Sequence, residues 1–218
     1  MSRKSFDTEL LELQNQLSKM TLAVSEQIKD TMDALIKQDV NLAKDIIKKD
    51  DIIDDFENDI GDKCVTLIAT RQPLATDLRT IFTISKIVTD LERIADHAVD
   101  ISKITLQLCD EEYIKELRDI SKMGVLVSKM IEGSIEAYLN KSEEKALEIC
   151  RMDDQVDKLY NNVFSELLMI MTKKPEVIEQ TTRLLFVCKF LERIGDHTTN
   201  ICEWTIYLLS GKKIDLNE

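Results

Sequence analysis

Residues 91–101 (LERIADHAVDI) and 191–201 (LERIGDHTTNI) share Leu, Glu, Arg, Ile, Asp, His and Ile in register, one hundred positions apart. The chain's two histidines, His97 and His197, occupy the same slot of this run. Upstream, residues 48–56 (KKDDIIDDF) match 151–159 (RMDDQVDKL), in the same order and at nearly the same separation. Self-similarity at a fixed period is the signature of a duplicated structural unit. The chain is therefore expected to fold as one unit used twice, over residues 1–110 and 111–218.

The unit is helical. After Pro73, apolar residues recur at Ile84, Ile87, Leu91, Ile94, Ala98 and Ile101, in alternating steps of three and four. That period is the seam of a helix packed in a bundle. Five glycines and two prolines in 218 residues leave little turn material for sheets. The pattern predicts six helices near 5–37, 40–70, 74–109, 112–140, 143–172 and 175–210. Asp39 and Ser142 suit N-caps, Pro73 and Pro175 suit the first turn of each repeat's third helix, and Ser210-Gly211 suits a C-terminal stop. Short connections make neighbouring helices antiparallel, so the expected fold class is all-α, two tandem antiparallel three-helix bundles.

The formal net charge of −12 disfavours direct contact with nucleic acid or anionic lipid and suits cations or a basic partner surface. No segment approaches the ~20 apolar residues that span a bilayer, and the N-terminus turns charged at once, without a signal-peptide core. The expectation is a soluble, cytoplasmic protein with no membrane insertion of its own. Cys64, Cys109, Cys150, Cys188 and Cys202 contain no CxxC pair and read mostly as small buried hydrophobes of a reducing compartment.

Each repeat carries two acidic pairs at i, i+4 spacing: Asp50/Asp54 with Glu92/Asp96, and Asp153/Asp157 with Glu192/Asp196. Such a pair puts two like charges on one helix face, which costs ~0.2–0.5 kcal/mol. Relief is partial: Arg93 reaches Asp96, Arg193 reaches Asp196, and Lys189 reaches Glu192. Incompletely neutralised carboxylates repeated on two helices are what a hard cation needs. Face arithmetic at ~100° per residue places any metal on the outer surface, between the second and third helices of a repeat. Asp51, Asp100 and Asp154 are further oxygen donors, and Asn200 replaces Asp100 in the second repeat. Metal ligation and acid–base chemistry are functional readings for His97 and His197; packing or hydrogen bonding is the alternative. The chain has no Gly-rich phosphate loop, no GxSxG and no HExxH. The Glu-to-His spacing is two residues longer than the Glu-x-x-His of di-iron bundles, so no catalytic set is expected.

With the twin ERI(A/G)DH runs, the DDxxD runs, RQPLATDLR at 71–79 and LERIGDHTTNICEW at 191–204, the chain resembles the PhoU family along essentially its whole length. The resemblance implies two three-helix bundles bearing multinuclear metal clusters, iron or zinc, on E(D)xxxD pairs. These fall here on Asp50, Asp54, Glu92, Asp96, Asp153, Asp157, Glu192 and Asp196. By ligand hardness alone, Mg²⁺, Mn²⁺ or Ca²⁺ suit the same donors. The chain departs from the family at Ala95, where glycine is usual and Gly195 keeps it. The resemblance also implies a non-enzymatic negative regulator of phosphate uptake and phosphate-starvation signalling. Its expected partners are the ATPase subunit of a phosphate ABC transporter and a sensor histidine kinase. Homodimerisation is left open. The competing reading is a metal-dependent hydrolase or phosphatase in which clustered metals activate water.

Overall fold

The computed structural model describes residues 3–216. Six helices fill it: α1 (Arg3–Lys37), α2 (Val40–Arg71), α3 (Ala75–Leu108), α4 (Arg118–Asn140), α5 (Glu143–Lys173) and α6 (Ile178–Ser210). Among the described residues there is no β-strand. Helices α1–α3 form one antiparallel bundle and α4–α6 the second, joined where α3 packs along α6 and α1 against α4.

The predicted seam of α3 is buried throughout: Ile84, Ile87, Leu91, Ile94, Ala98 and Ile101 are all inaccessible to solvent. Leu13, Leu17, Met20, Val24 and Ile28 meet it from α1, at steps of three and four. Leu184, Val187, Leu191, Ile194 and Ile201 repeat the arrangement in α6. These side chains belong to one continuous apolar core that runs through both repeats. Cys64, Cys188 and Cys202 are buried, Cys109 and Cys150 half-buried, and all five are free thiols.

The connections explain the antiparallel order. Gln38 and Lys141 take left-handed backbone (φ 52° and 50°), so α1 turns into α2 and α4 into α5 within two residues. Asp39 caps α2 by accepting from the Asn41 and Leu42 N–H groups, each at 3.0 Å, and Ser142 caps α5 by accepting from Lys145 N–H at 3.2 Å. An N-cap side chain satisfies a backbone donor that the helix itself leaves unpaired. Asp39→Ala and Ser142→Ala are each expected to lower stability by about 1 kcal/mol in urea unfolding, with the slope unchanged. Gly211 ends α6 at φ 72°, its N–H bonded to Tyr207 C=O.

Two expectations shift. Helix α4 begins at Arg118, not near 112, because 109–117 is held as an irregular strap. Gln38 Nε2 donates to the carbonyls of Leu108 and Glu111, Gln180 Oε1 accepts from Ile114 N–H, and Tyr113 Oη donates to Leu35 C=O. Pro175 opens a 3-10 turn (Pro175–Val177) ahead of α6, and Pro73 lies two residues before α3, which starts at Ala75. Both prolines therefore act as stops that let the chain reverse before the helix winds.

Candidate metal centres

The predicted carboxylates face one another across α2/α3 and α5/α6. In the first repeat Asp50 and Asp54 project from α2, and Glu92 and Asp96 from α3, one turn apart on each helix. Glu92 has a side chain only 14% exposed. Its Oε2 is buried without a hydrogen-bond partner. Burial, and then the charges of Asp96, Glu57 and Asp54 against the relief of Arg93, push its carboxyl up to about 7. Asp50 is raised as well, by burial and by Asp54 and Asp96, although it accepts a hydrogen bond from Gln27 Nε2 of α1 at 3.2 Å. Arg93 neutralises in part: its guanidinium lies 2.8 Å from Asp96 Oδ2 and 3.3 Å from Glu92 Oε2.

The second cluster is built differently. Asp153 has one oxygen, Oδ1, buried without a partner, while Oδ2 accepts weakly from Thr199 Oγ1 at 3.4 Å. Burial, then the charges of Asp157 and Asp196, push the Asp153 carboxyl up to about 7. Asp157 and Asp196 are raised too, chiefly by burial and then by Glu192. Asp153 presses against α6 because position 195 is glycine: a Cβ there would sit 2.3 Å from Asp153 Oδ1. The first repeat has Ala95 in that position, and its Asp50 turns to Gln27; the second has Met130 in the place of Gln27 and offers no amide. Lys189 supplies the local cation instead, 2.6 Å from Glu192 Oε1 and 5.6 Å over the Tyr160 ring. In the first repeat Thr89 and Glu57 stand at the positions of Lys189 and Tyr160, so that cluster carries one more carboxylate and no lysine.

The remaining candidate donors are used elsewhere. Asp100 pairs with Lys103 at 3.2 Å, and Asn200 Nδ2 donates to Asp90 Oδ1 at 3.2 Å, across the junction of the repeats. Asp51 and Asp154 are exposed. The histidines also lie at that junction rather than inside the clusters. His197 Nδ1 is 3.0 Å from Asp90 Oδ1, and His97 stacks on Phe190 at 5.4 Å, the two imidazoles being 5.8 Å apart. Burial, then His197 and Arg193, hold His97 down to about 4, so it is a neutral packing group.

As the side chains stand, no three of the His, Cys, Asp and Glu groups among the described residues converge at ligand distance. The donor set nevertheless suits a hard cation: all oxygen, fixed on rigid helices, with two buried carboxylate oxygens, Glu92 Oε2 and Asp153 Oδ1, that accept no hydrogen bond. The helices that carry each pair of acids, α2 with α3 and α5 with α6, pack directly against each other. The eight acids expected from the sequence line these two helix pairs, joined by Glu57, Gln27 and Thr199, which the sequence reading did not single out. Glu57 had a local signal, three residues beyond Asp54 on the same face; Gln27 reaches Asp50 from another helix and had none.

The PhoU domain matches residues 17–105 and 120–205. The "Phosphate-specific transport system accessory protein PhoU homolog" of Clostridium acetobutylicum is 52% identical over 219 residues, covering 100% of both chains. The homologue of the same name from Pseudomonas aeruginosa is 36% identical over 212 residues, covering 97% of this chain and 88% of its own. The crystal structure of PhoU from Pseudomonas aeruginosa superposes with a TM-score of 0.92 at 36% identity, over 95% of this chain and 100% of that one. That of the phosphate transport system regulatory protein PhoU from Streptococcus pneumoniae does so with 0.91 at 32%, over 96% and 99%.

Proposed function

The chain belongs to the PhoU family, and from that membership we propose that it is a regulatory accessory protein of phosphate transport that restrains uptake and the phosphate-starvation response. In this reading it works as a non-enzymatic adaptor between the ATPase subunit of a phosphate ABC transporter and a sensor histidine kinase. The observation that carries the reading is the end-to-end match to a phosphate-specific transport accessory protein. No described helix is long and apolar enough to cross a membrane, so an adaptor of this build meets membrane components through protein contacts.

The carboxylate clusters give the adaptor its cation sites. Asp50, Asp54, Glu92 and Asp96 would hold one group of metal ions, and Asp153, Asp157, Glu192 and Asp196 the other. A bound cation would supply positive charge that ties α2 to α3, or α5 to α6. Without it, the chain's own residues manage the repulsion, through Arg93 and Gln27 in one repeat and Lys189 and Thr199 in the other.

Deleting the gene is expected to switch on phosphate-starvation genes in phosphate-replete medium. The tagged protein is expected to retain the transporter ATPase or the sensor kinase from lysate. Normal repression in the deletion strain, together with recovery of neither partner, would overturn the reading.

A further inference from the structure

Cations and aromatic rings gather where α3, α6 and the C-terminal segment meet. Phe82, Trp204 and Tyr207 form a trio of edge-to-face rings, with centroids 5.8, 5.9 and 6.4 Å apart. Lys86 Nζ lies 5.6 Å from the Phe82 ring and 5.9 Å from Trp204, Lys213 Nζ lies 5.4 Å from Trp204 on its other contact, and the Arg79 guanidinium is 5.7 Å from Tyr207. Phe82 is 42% exposed, Lys86 and Lys213 are exposed, and Trp204 and Tyr207 are half-buried.

Three features separate this patch from ordinary surface. First, among the described residues none of these three cations has a carboxylate at ion-pairing distance, whereas Arg71, Arg93, Lys103, Lys115, Arg183 and Lys189 each do. Glu203, the nearby acid of α6, is buried and accepts from Leu216 N–H at 2.6 Å under the C-terminal segment. Second, the fold does not require the patch. At the duplicated positions, one hundred residues away, Arg79, Phe82, Trp204 and Tyr207 are replaced by Glu179, Thr182, Ile104 and Gln107. Phe186 stands there in place of Lys86, and Arg183 supplies the cation, donating to Gln107 C=O at 3.0 Å with Glu111 at 3.3 Å, so the same junction is built without the ring trio and with its positive charge paired. Third, the polar atoms of the patch are mostly donors: the half-buried Arg79 guanidinium, which also donates to Leu208 C=O at 3.4 Å, two exposed ammonium groups and an indole N–H without a partner among the described residues, beside the Tyr207 hydroxyl and flanked by the exposed apolar Leu78 and Leu209.

We propose that the patch formed by Arg79, Phe82, Lys86, Trp204, Tyr207 and Lys213 docks a short acidic segment of a partner protein, its carboxylates on the cations and its apolar side chains on the rings. The size of the occupant follows from the charge of the whole chain. At −12, an extended anionic surface such as a bilayer or a nucleic acid meets repulsion along the rest of the molecule. A peptide of a few residues lies within about one screening length, ~8 Å, of the patch alone. The proposal does not depend on which partners the adaptor serves.

Trp204 is the chain's single tryptophan, so its emission reports directly on the patch. The intact protein is titrated at low salt with a synthetic peptide of alternating Glu and Leu, with the anisotropy of a labelled copy of the peptide read alongside. Saturable binding is expected, weakened at least tenfold in Lys86→Glu/Lys213→Glu, weakened by salt, and lost for a Lys/Leu peptide. Both substituted residues are exposed, so circular dichroism of the variant is expected to be unchanged. Absence of binding by both readouts, equal binding by the variant, or a stronger response to phosphatidylserine vesicles or single-stranded oligothymidylate would each overturn the proposal.

Discussion

Glu92→Gln/Asp153→Asn is expected to be more stable than the parent chain in chelator at pH 8, with Tm raised on the order of 5–10 °C. Both carboxyls are half-buried, each with one oxygen shielded from solvent, and pushed up to about 7, so at pH 8 folding holds two charges that water would solvate better. The amides keep the shape and remove the charge; after discounting for solvent screening, the gain is roughly 2–4 kcal/mol. The sign of the pH dependence follows. A carboxyl whose folded pKa is raised binds more protons folded than unfolded, so its contribution falls as pH rises from the ordinary carboxylate range through about 7. His97 acts oppositely: held down to about 4, it loses stability as pH drops below about 6.5. Two carboxyls outweigh one imidazole, so the parent chain is expected to gain stability from pH 8 to pH 5.5, and the double variant to lose most of that gain. Thermal unfolding at the two pH values, with EDTA, checks this. Identical pH profiles for parent and variant would show that the buried charges are relieved in another way. A divalent cation at pH 8 is expected to restore stability to the parent chain only, by preferential binding to the folded state.

Lys189→Ala is expected to raise cation affinity at the second cluster about tenfold, equivalent to ~1.4 kcal/mol. The ammonium sits 2.6 Å from Glu192 Oε1, and its charge partly offsets the rise that burial and Glu192 impose on Asp157 and Asp196. An entering metal ion must displace it from Glu192, and a hydrogen bond to a charged group is worth about 1.5–3 kcal/mol. Titration calorimetry with Mn²⁺, in a background of Asp50→Asn/Glu92→Gln that silences the first cluster, isolates the effect. Affinity unchanged by the substitution would mean that Lys189 and the cation do not compete for Glu192.

The bundles were readable because their determinants are local. The three-four spacing of Ile84 to Ile101 is a property of one helix, as are the caps at Asp39, Ser142 and Gly211, and all of them appear where the residue types predict. The i, i+3 reach of Arg93 to Asp96 and of Lys189 to Glu192 was readable for the same reason. The strap at 109–117 was not, because the groups that unwind it, Gln38 and Gln180, lie about seventy residues away in either direction. The two histidines show the limit most clearly. They share a motif but differ in environment, since Asp90 faces one and Phe190 takes its place opposite the other. A duplicated sequence does not impose duplicated chemistry once the copies pack against each other.

The bond from Gln27 to Asp50 has a mechanical consequence. A cation that pulls Asp50 toward Glu92 also tugs on α1, so strain at the first cluster is spread over all three rods of its bundle. In the second repeat Met130 offers no such tether, and Asp153 rests directly on Gly195. Any displacement there stays within the α5/α6 pair. Two sites that look alike in outline would thus transmit force along different paths, one through the breadth of the molecule and one along a single edge.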